Sequence, residues 1–210
     1  MYFIVNSILF NGLYKLLVLT MILVLCASCG TDPIPKPKAY LSLDYPKAKY
    51  INTEVGLPFS FDKNELAKNV MLKKFKETNE SYGVNLEYPT LNGTIYLTYK
   101  KVIKQEQLID FIRDAQNFTQ EHTKKADEII EQPFEDSERK AYGMFYEVGG
   151  NAASQSQFYV TDSTNHFLIG SLYFYAKPNY DSILPAAHYL KQDIKRIMET
   201  VKWKFSKNSN

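Results

Sequence analysis

Cysteine is nearly absent from this chain: only Cys26 and Cys29 occur, both at the end of one apolar run. Cleavage ahead of Cys29 would remove Cys26 and exclude any disulfide, so the stability of an exported product must come from its core. Histidine is also scarce. His122, His166 and His188 are the only imidazoles, none has a partner at metal-ligand spacing, and no metal site is expected. No phosphate loop, dinucleotide fingerprint or nucleophile elbow occurs. Ser154, Asp162 and His166 form a triad only by selection from a polar region, so no catalytic residue is assigned and a non-enzymatic protein is expected. A formal charge of +2 gives no general attraction to nucleic acid. The longest apolar run, Leu16 to Leu25, falls short of the ~20 residues that cross a bilayer.

What the chain does have begins at that run. It ends in Leu25-Cys26-Ala27-Ser28-Cys29-Gly30, the pattern of a lipoprotein signal, in which cleavage frees the Cys29 amine and the sulfur takes a diacylglycerol. Residues 1–28 then form the signal peptide, and Cys29 is the lipidation site, carrying a covalent diacylglycerol and an N-acyl chain. Lys15 is the only charge before the run, the stretch ahead of it is unusually long, and Cys26 stands where Leu is usual. A retained membrane anchor and an ordinary signal peptide are the alternatives. Residues 29–38 follow as a spacer, since Pro33, Pro35 and Pro37 alternate in an extended polyproline conformation of ~3.1 Å per residue. No acidic cluster follows Cys29, which favours a periplasmic placement.

Residues 39–210 read as a single globular domain, whose 16 Tyr and 13 Phe supply core material. Alternation predicts strands at Ala39 to Pro46 and around Phe59 to Phe61, whereas residues 62–80 fit no single period. Val84 to Tyr88 and Thr94 to Tyr99 read as strands joined through the turn-rich Pro89 to Gly93. Leu108, Ile112, Ala115, Thr119, His122, Ala126 and Ile129 recur at helical spacing, predicting one helix over Gln105 to Glu131, ended by Pro133. Three strands follow at Ala141 to Val148, Gln155 to Thr161 and His166 to Tyr175, the last two joined by a hairpin at Asp162 to Asn165. A second helix runs from Ser182 to Thr200 with Asp181 as N-cap, its core side carrying Ala187, Leu190, Ile194, Ile197 and Val201. Trp203 and Phe205 close the chain as a short strand or an apolar plug. The expected fold is α+β: a mainly antiparallel sheet covered by helices on both faces, a three-layer sandwich.

One segment stands out, Tyr142 to Val160. Gly149, Gly150 and Asn151 permit positive φ, and the small residues beyond them allow a close backbone approach. The plain reading is a strand connection with Gln155 and Gln157 on an outer face. The functional reading is a partner-docking surface made by Gly149, Gly150, Asn151, Gln155 and Gln157. Asp162-Ser163-Thr164 and Asp181-Ser182-Ile183 also match a short O-glycosylation pattern.

The stretch Tyr142 to Ser163, with Gly170 to Tyr175 and Pro178 to Ile183, resembles the gliding-motility lipoprotein family GldD of Bacteroidota. Lys36 to Lys38, Leu43 to Pro46, Pro58 to Phe61 and Thr94 to Lys100 agree with it as well. The resemblance implies a role in gliding and in the associated type IX secretion system, and lipidation at Cys29. It transfers no catalytic residue and implies no cofactor. The partners it implies are the membrane, through the lipid, and other gliding and type IX secretion lipoproteins of the envelope, with placement at the outer membrane facing the periplasm. The mechanism it suggests is assembly or scaffolding, against the alternative of a periplasmic module that binds a small glycan or peptide between the helices and the sheet. The order of elements bears a fainter likeness to the PsbP/Mog1-like sandwich, on pattern alone.

Overall fold

Among the described residues the domain holds ten strands and two long amphipathic helices. The computed structural model describes residues 15–21, 44–75, 80–121, 126–150, 152–175 and 180–204. The chain divides into two compact units, Met1–Ala39 and Tyr40–Asn210. Of the first, residues 15–21 are helical; Cys29 and the spacer lie outside the described residues.

The second unit opens with β1 (Tyr50–Glu54) and β2 (Phe59–Asn64), an antiparallel pair to which β10 (Lys202–Trp203) adds on the other side of β2. Residues 44–46, expected in a strand, are not part of one; this region forms its first strand at Tyr50, where β2 supplies a partner. The remaining strands are β3 (Lys68–Lys74), β4 (Ser81–Tyr88), β5 (Gly93–Lys101), β6 (Ala126–Asp136), β7 (Ala141–Gly150), β8 (Ser154–Thr161) and β9 (His166–Phe174). They form one sheet in the order β3-β4-β5-β9-β8-β7-β6, antiparallel at every pairing. The protein is therefore α+β and mainly antiparallel. Pro89–Leu91 makes the expected turn between β4 and β5, a single 3-10 turn closed by Asn92 at φ 48°.

Helix α1 spans Gln105–Glu121 and helix α2 spans Tyr180–Thr200. The long helix expected to reach Glu131 therefore stops ten residues early, and Ala126–Asp136 is a strand instead. Its pairing with β7 from Ala126 to Asp136 overrides the local helical spacing. Pro133, taken as a helix stop, lies inside that strand and is tolerated because β6 is a sheet edge. His122 lies outside the described residues. Helix α2 starts before the expected Asp181 cap, which places Asp181 in its first turn and Pro185 one turn deeper. Its core side is as expected, with Ala187, Leu190, Ile194, Ile197 and Val201 all buried.

Alternate residues of β8 and β9 enter two apolar clusters. Phe158, Val160, Leu168 and Leu172 join Leu190, Ile194 and Ile197 of α2, together with Phe59, Phe61 and Trp203 of the small sheet. Tyr159 and Phe167 join Leu108, Phe111 and Ala115 of α1. β8 is buried along its whole length, so it is the spine on which both clusters are built.

Candidate functional site

The hairpin between β8 and β9 is shaped by one carboxylate. Asp162 Oδ1 accepts from the backbone N–H groups of Thr164 (3.0 Å), Asn165 (2.8 Å) and His166 (2.8 Å), and this permits Ser163 its φ of 65°. Burial works to raise the Asp162 pKa, but those N–H groups stabilise the anion more and hold it below the usual value. The turn delivers His166 to a buried position against two aromatic neighbours. Its Nδ1 lies 2.8 Å from the Tyr99 hydroxyl, and its ring stacks on Trp203 at 5.2 Å and 11°. Burial lowers the His166 pKa, against the pull of Asp162, and so favours the neutral imidazole.

In front of this group opens a cavity of about 560 Å³, lined by Leu57, Leu72, Tyr82, Tyr99, His166 and the paired Lys101 and Glu80, among others. Lys101 Nζ and Glu80 Oε2 are 2.9 Å apart. A second depression of about 390 Å³ lies beside α1, between Ala115 and Phe118 of the helix and Tyr96, Ile169 and Tyr173 of the sheet. The larger cavity is thus not between the helices and the sheet, where a ligand was expected. It sits where the small sheet meets β3, β4 and β5, and its mixed lining suits a small polar ligand with an apolar face.

A different buried group ties α2 to the start of the domain. Asp193, only 1% exposed, accepts from Tyr50 Oη at 2.7 Å and from Asn64 Nδ2 at 2.9 Å. Burial raises its pKa against those two bonds. The Tyr88 hydroxyl is buried and has no hydrogen bond of good geometry among the described residues; burial and the nearby Asp193 charge raise its pKa. Tyr189 donates to the Pro46 carbonyl at 2.9 Å and packs on the Tyr45 ring at 5.1 Å. These bonds fasten residues 45–50, where the chain enters the domain, to α2.

The proposed docking segment is used largely by the fold itself. Gly150 has φ 85°, and a Cβ there would meet the Asp127 backbone nitrogen at 2.8 Å, where β6 bulges between Ala126 and Glu128. The neighbour that comes close at this glycine is the chain's own edge strand. Gln155 and Gln157 are not on an outer face but buried, because the strand that carries them is central in the sheet. Gln155 Nε2 donates to Ala152 O at 2.9 Å, and Gln157 Oε1 accepts from Thr119 of α1 at 3.1 Å. Gly149 is half-buried beside a crevice of only about 30 Å³. Asn151 lies outside the described residues. Ser154 starts β8, bonded to Ser156 O, while Asp162 and His166 lie beyond its far end; the three do not meet.

Sequence reasoning missed the Tyr50–Asn64–Asp193 group, since Asp193 looks like any polar helix residue. Its one signal is position: Asp193 precedes Ile194 and follows Leu190 by three, on the flank of the buried stripe. Among the described residues no helix is long and apolar enough to cross a membrane, and no group of three or more His, Cys, Asp or Glu is placed to hold a metal ion.

The fold and its surfaces define an α+β domain with a polar-aromatic cavity and a seven-stranded sheet edged by β3 and β6. The model of the family described as gliding motility lipoprotein GldD matches residues 30–203, nearly the whole chain beyond Cys29, and the chain belongs to that family. It is a gliding-motility lipoprotein, and so a membrane-anchored protein of the cell envelope. No curated protein and no solved structure matches the chain, so the likeness to the PsbP/Mog1-like sandwich carries no argument.

Proposed function

We propose that the protein is a non-enzymatic assembly factor, tethered through lipid on Cys29 and holding other envelope lipoproteins of gliding and type IX secretion in place. The observation that carries this reading is the family match over residues 30–203, which begins at the residue after Cys29. Residues 1–28 act as the signal peptide, and 29–38 as a spacer between the bilayer and the domain of 39–210. Two or more acyl chains suffice for stable anchoring, and the missing acidic cluster after Cys29 favours the outer membrane with the domain facing the periplasm. The two apolar clusters on alternate residues of β8 and β9 support a three-layer arrangement, with α2 and the small sheet on one face and α1 on the other. Such a body suits a scaffold, because its central strand β8 is buried while its edge strands carry exposed apolar residues such as Met71 and Ile130.

Cross-linking in living cells, followed by mass spectrometry, tests this reading. Other gliding lipoproteins should be recovered with the wild-type protein, and Cys29→Ala should mislocalise it and stop gliding. Gliding at normal speed with the unlipidated form would contradict the proposal. Of the docking candidates, Gly149 is the usable probe: substitution at Gly150 strains the backbone, and the Gln155 and Gln157 side chains are inside.

A second reading is favoured by the cavity of about 560 Å³ beside His166: a module that binds a small glycan or peptide of the envelope. Soluble glycan and peptide fragments should then raise the melting temperature of the wild-type protein, and Tyr82→Ala should remove the effect.

A further inference from the structure

The two edges of the seven-stranded sheet are β3 and β6, and their charges are opposite. β3 carries Lys68, Lys73 and Lys74 and no acid. β6 carries Asp127, Glu128, Glu131, Glu135 and Asp136 and no base. β3 is also apolar where an edge strand is usually guarded: Val70, Met71 and Leu72 are 40%, 48% and 49% exposed, and Phe75 just beyond is 37% exposed. An edge strand presents unpaired N–H and C=O groups, and an apolar one is a template for another strand.

We propose that β3 of one copy pairs with β6 of the next, so that the protein assembles head to tail into a row with a continuous sheet. Charge selects this pairing over the others. β3 against β3 sets lysines on lysines, and β6 against β6 sets acids on acids, so both two-fold arrangements are repelled. Only the mixed pairing brings opposite signs together, and a mixed contact repeats instead of closing on itself. Pro133 has no N–H to give to a new strand, which confines the added strand to the part of β6 before it, where Asp127, Glu128 and Glu131 lie. That stretch holds three of the five acids of β6, opposite in sign to β3, and its Ile130, 41% exposed, gives the apolar side chains of β3 a partner. The inference deepens the scaffold reading and rests on it only for the common membrane that would align the copies.

Sedimentation velocity of the full-length lipoprotein in detergent tests the pairing with two charge-reversed variants. One carries Lys68→Glu, Lys73→Glu and Lys74→Glu; the other carries Glu128→Lys and Glu131→Lys. The wild type should form a concentration-dependent ladder of species that dissociates at high salt. Each variant alone should associate about tenfold or more weakly, and mixing the two should restore association, because each then meets an edge of opposite sign. Restoration also shows that both variants are folded. A monomeric wild type, or variants that stay apart when mixed, would overturn the proposal. So would a monomeric wild type that floats with phosphatidylglycerol vesicles through the three lysines, which would make β3 a lipid-facing strand. A monomer that still recovers gliding lipoproteins from the envelope would overturn self-assembly and leave the scaffold reading standing.

Discussion

The two apolar clusters of the domain differ in extent. One joins α2 and the small sheet to the large sheet in a continuous core from Phe59 to Trp203, in which Leu190, Ile194 and Leu172 have no exposed surface. The other joins α1 to β8 and β9, with Phe111 at 7% exposed and an open aromatic depression farther along the helix beside Ala115 and Phe118. The first contains more buried apolar side chains, so the larger share of the stability is expected from it. The second is smaller.

Substitutions should rank the two clusters. The largest loss is expected from Leu190→Ala, which empties a fully buried site shared by helix and sheet; thermal or urea unfolding should show about 3 kcal/mol. Equal stability of this variant and the wild type would remove the distinction. Asp193→Ala should cost about 2 kcal/mol beside the same cluster, because the Tyr50 hydroxyl and Asn64 amide lose their acceptor. Phe111→Ala in the smaller cluster should cost less than Leu190→Ala, at about 2 kcal/mol, since fewer buried side chains surround it and Phe111 itself is 7% exposed. A larger loss there than at Leu190 would reverse the order.

The smallest effects are those of pH, and they carry opposite signs. Asp193 has its pKa raised by burial, so its contribution is complete below the unfolded carboxylate value of about 3.9 and is lost as pH rises through the folded value. Asp193→Asn should flatten that slope, which unfolding measured across pH would show. His166 has its pKa lowered by burial, so its contribution is complete above about 6.5 and is lost as pH falls through the folded value. Asp162, lowered by the turn N–H groups despite burial, adds a further loss at lower pH. His166→Phe should remove the step nearest neutrality and leave the more acidic one.

Much of the chain was legible because its signals are local. The Asp162 to Asn165 hairpin, the Pro89 to Gly93 turn and the core stripe of α2 all follow from turn chemistry and side-chain period. Two readings failed for one reason. Ala126 and Ile129 continue a helical spacing by accident, but the partner strand β7 decides their conformation; Gln155 and Gln157 are polar, yet they are buried because their strand is central. Region 62–80 had no clear period because it holds the end of one sheet and the exposed edge of another, and such an edge has no buried face to impose alternation.

Sequence alone determined the family and the apolar stripe of the last helix, because each is written in neighbouring residues. Tertiary structure alone decided that Asp193 is buried among Tyr50 and Asn64, that His166 stacks on Trp203 beside a cavity, and that a basic strand and an acidic strand are the two edges of one sheet. Those facts depend on strand order and helix docking, which bring together residues more than a hundred positions apart in one case and over thirty in another, and no local pattern in the chain encodes such encounters.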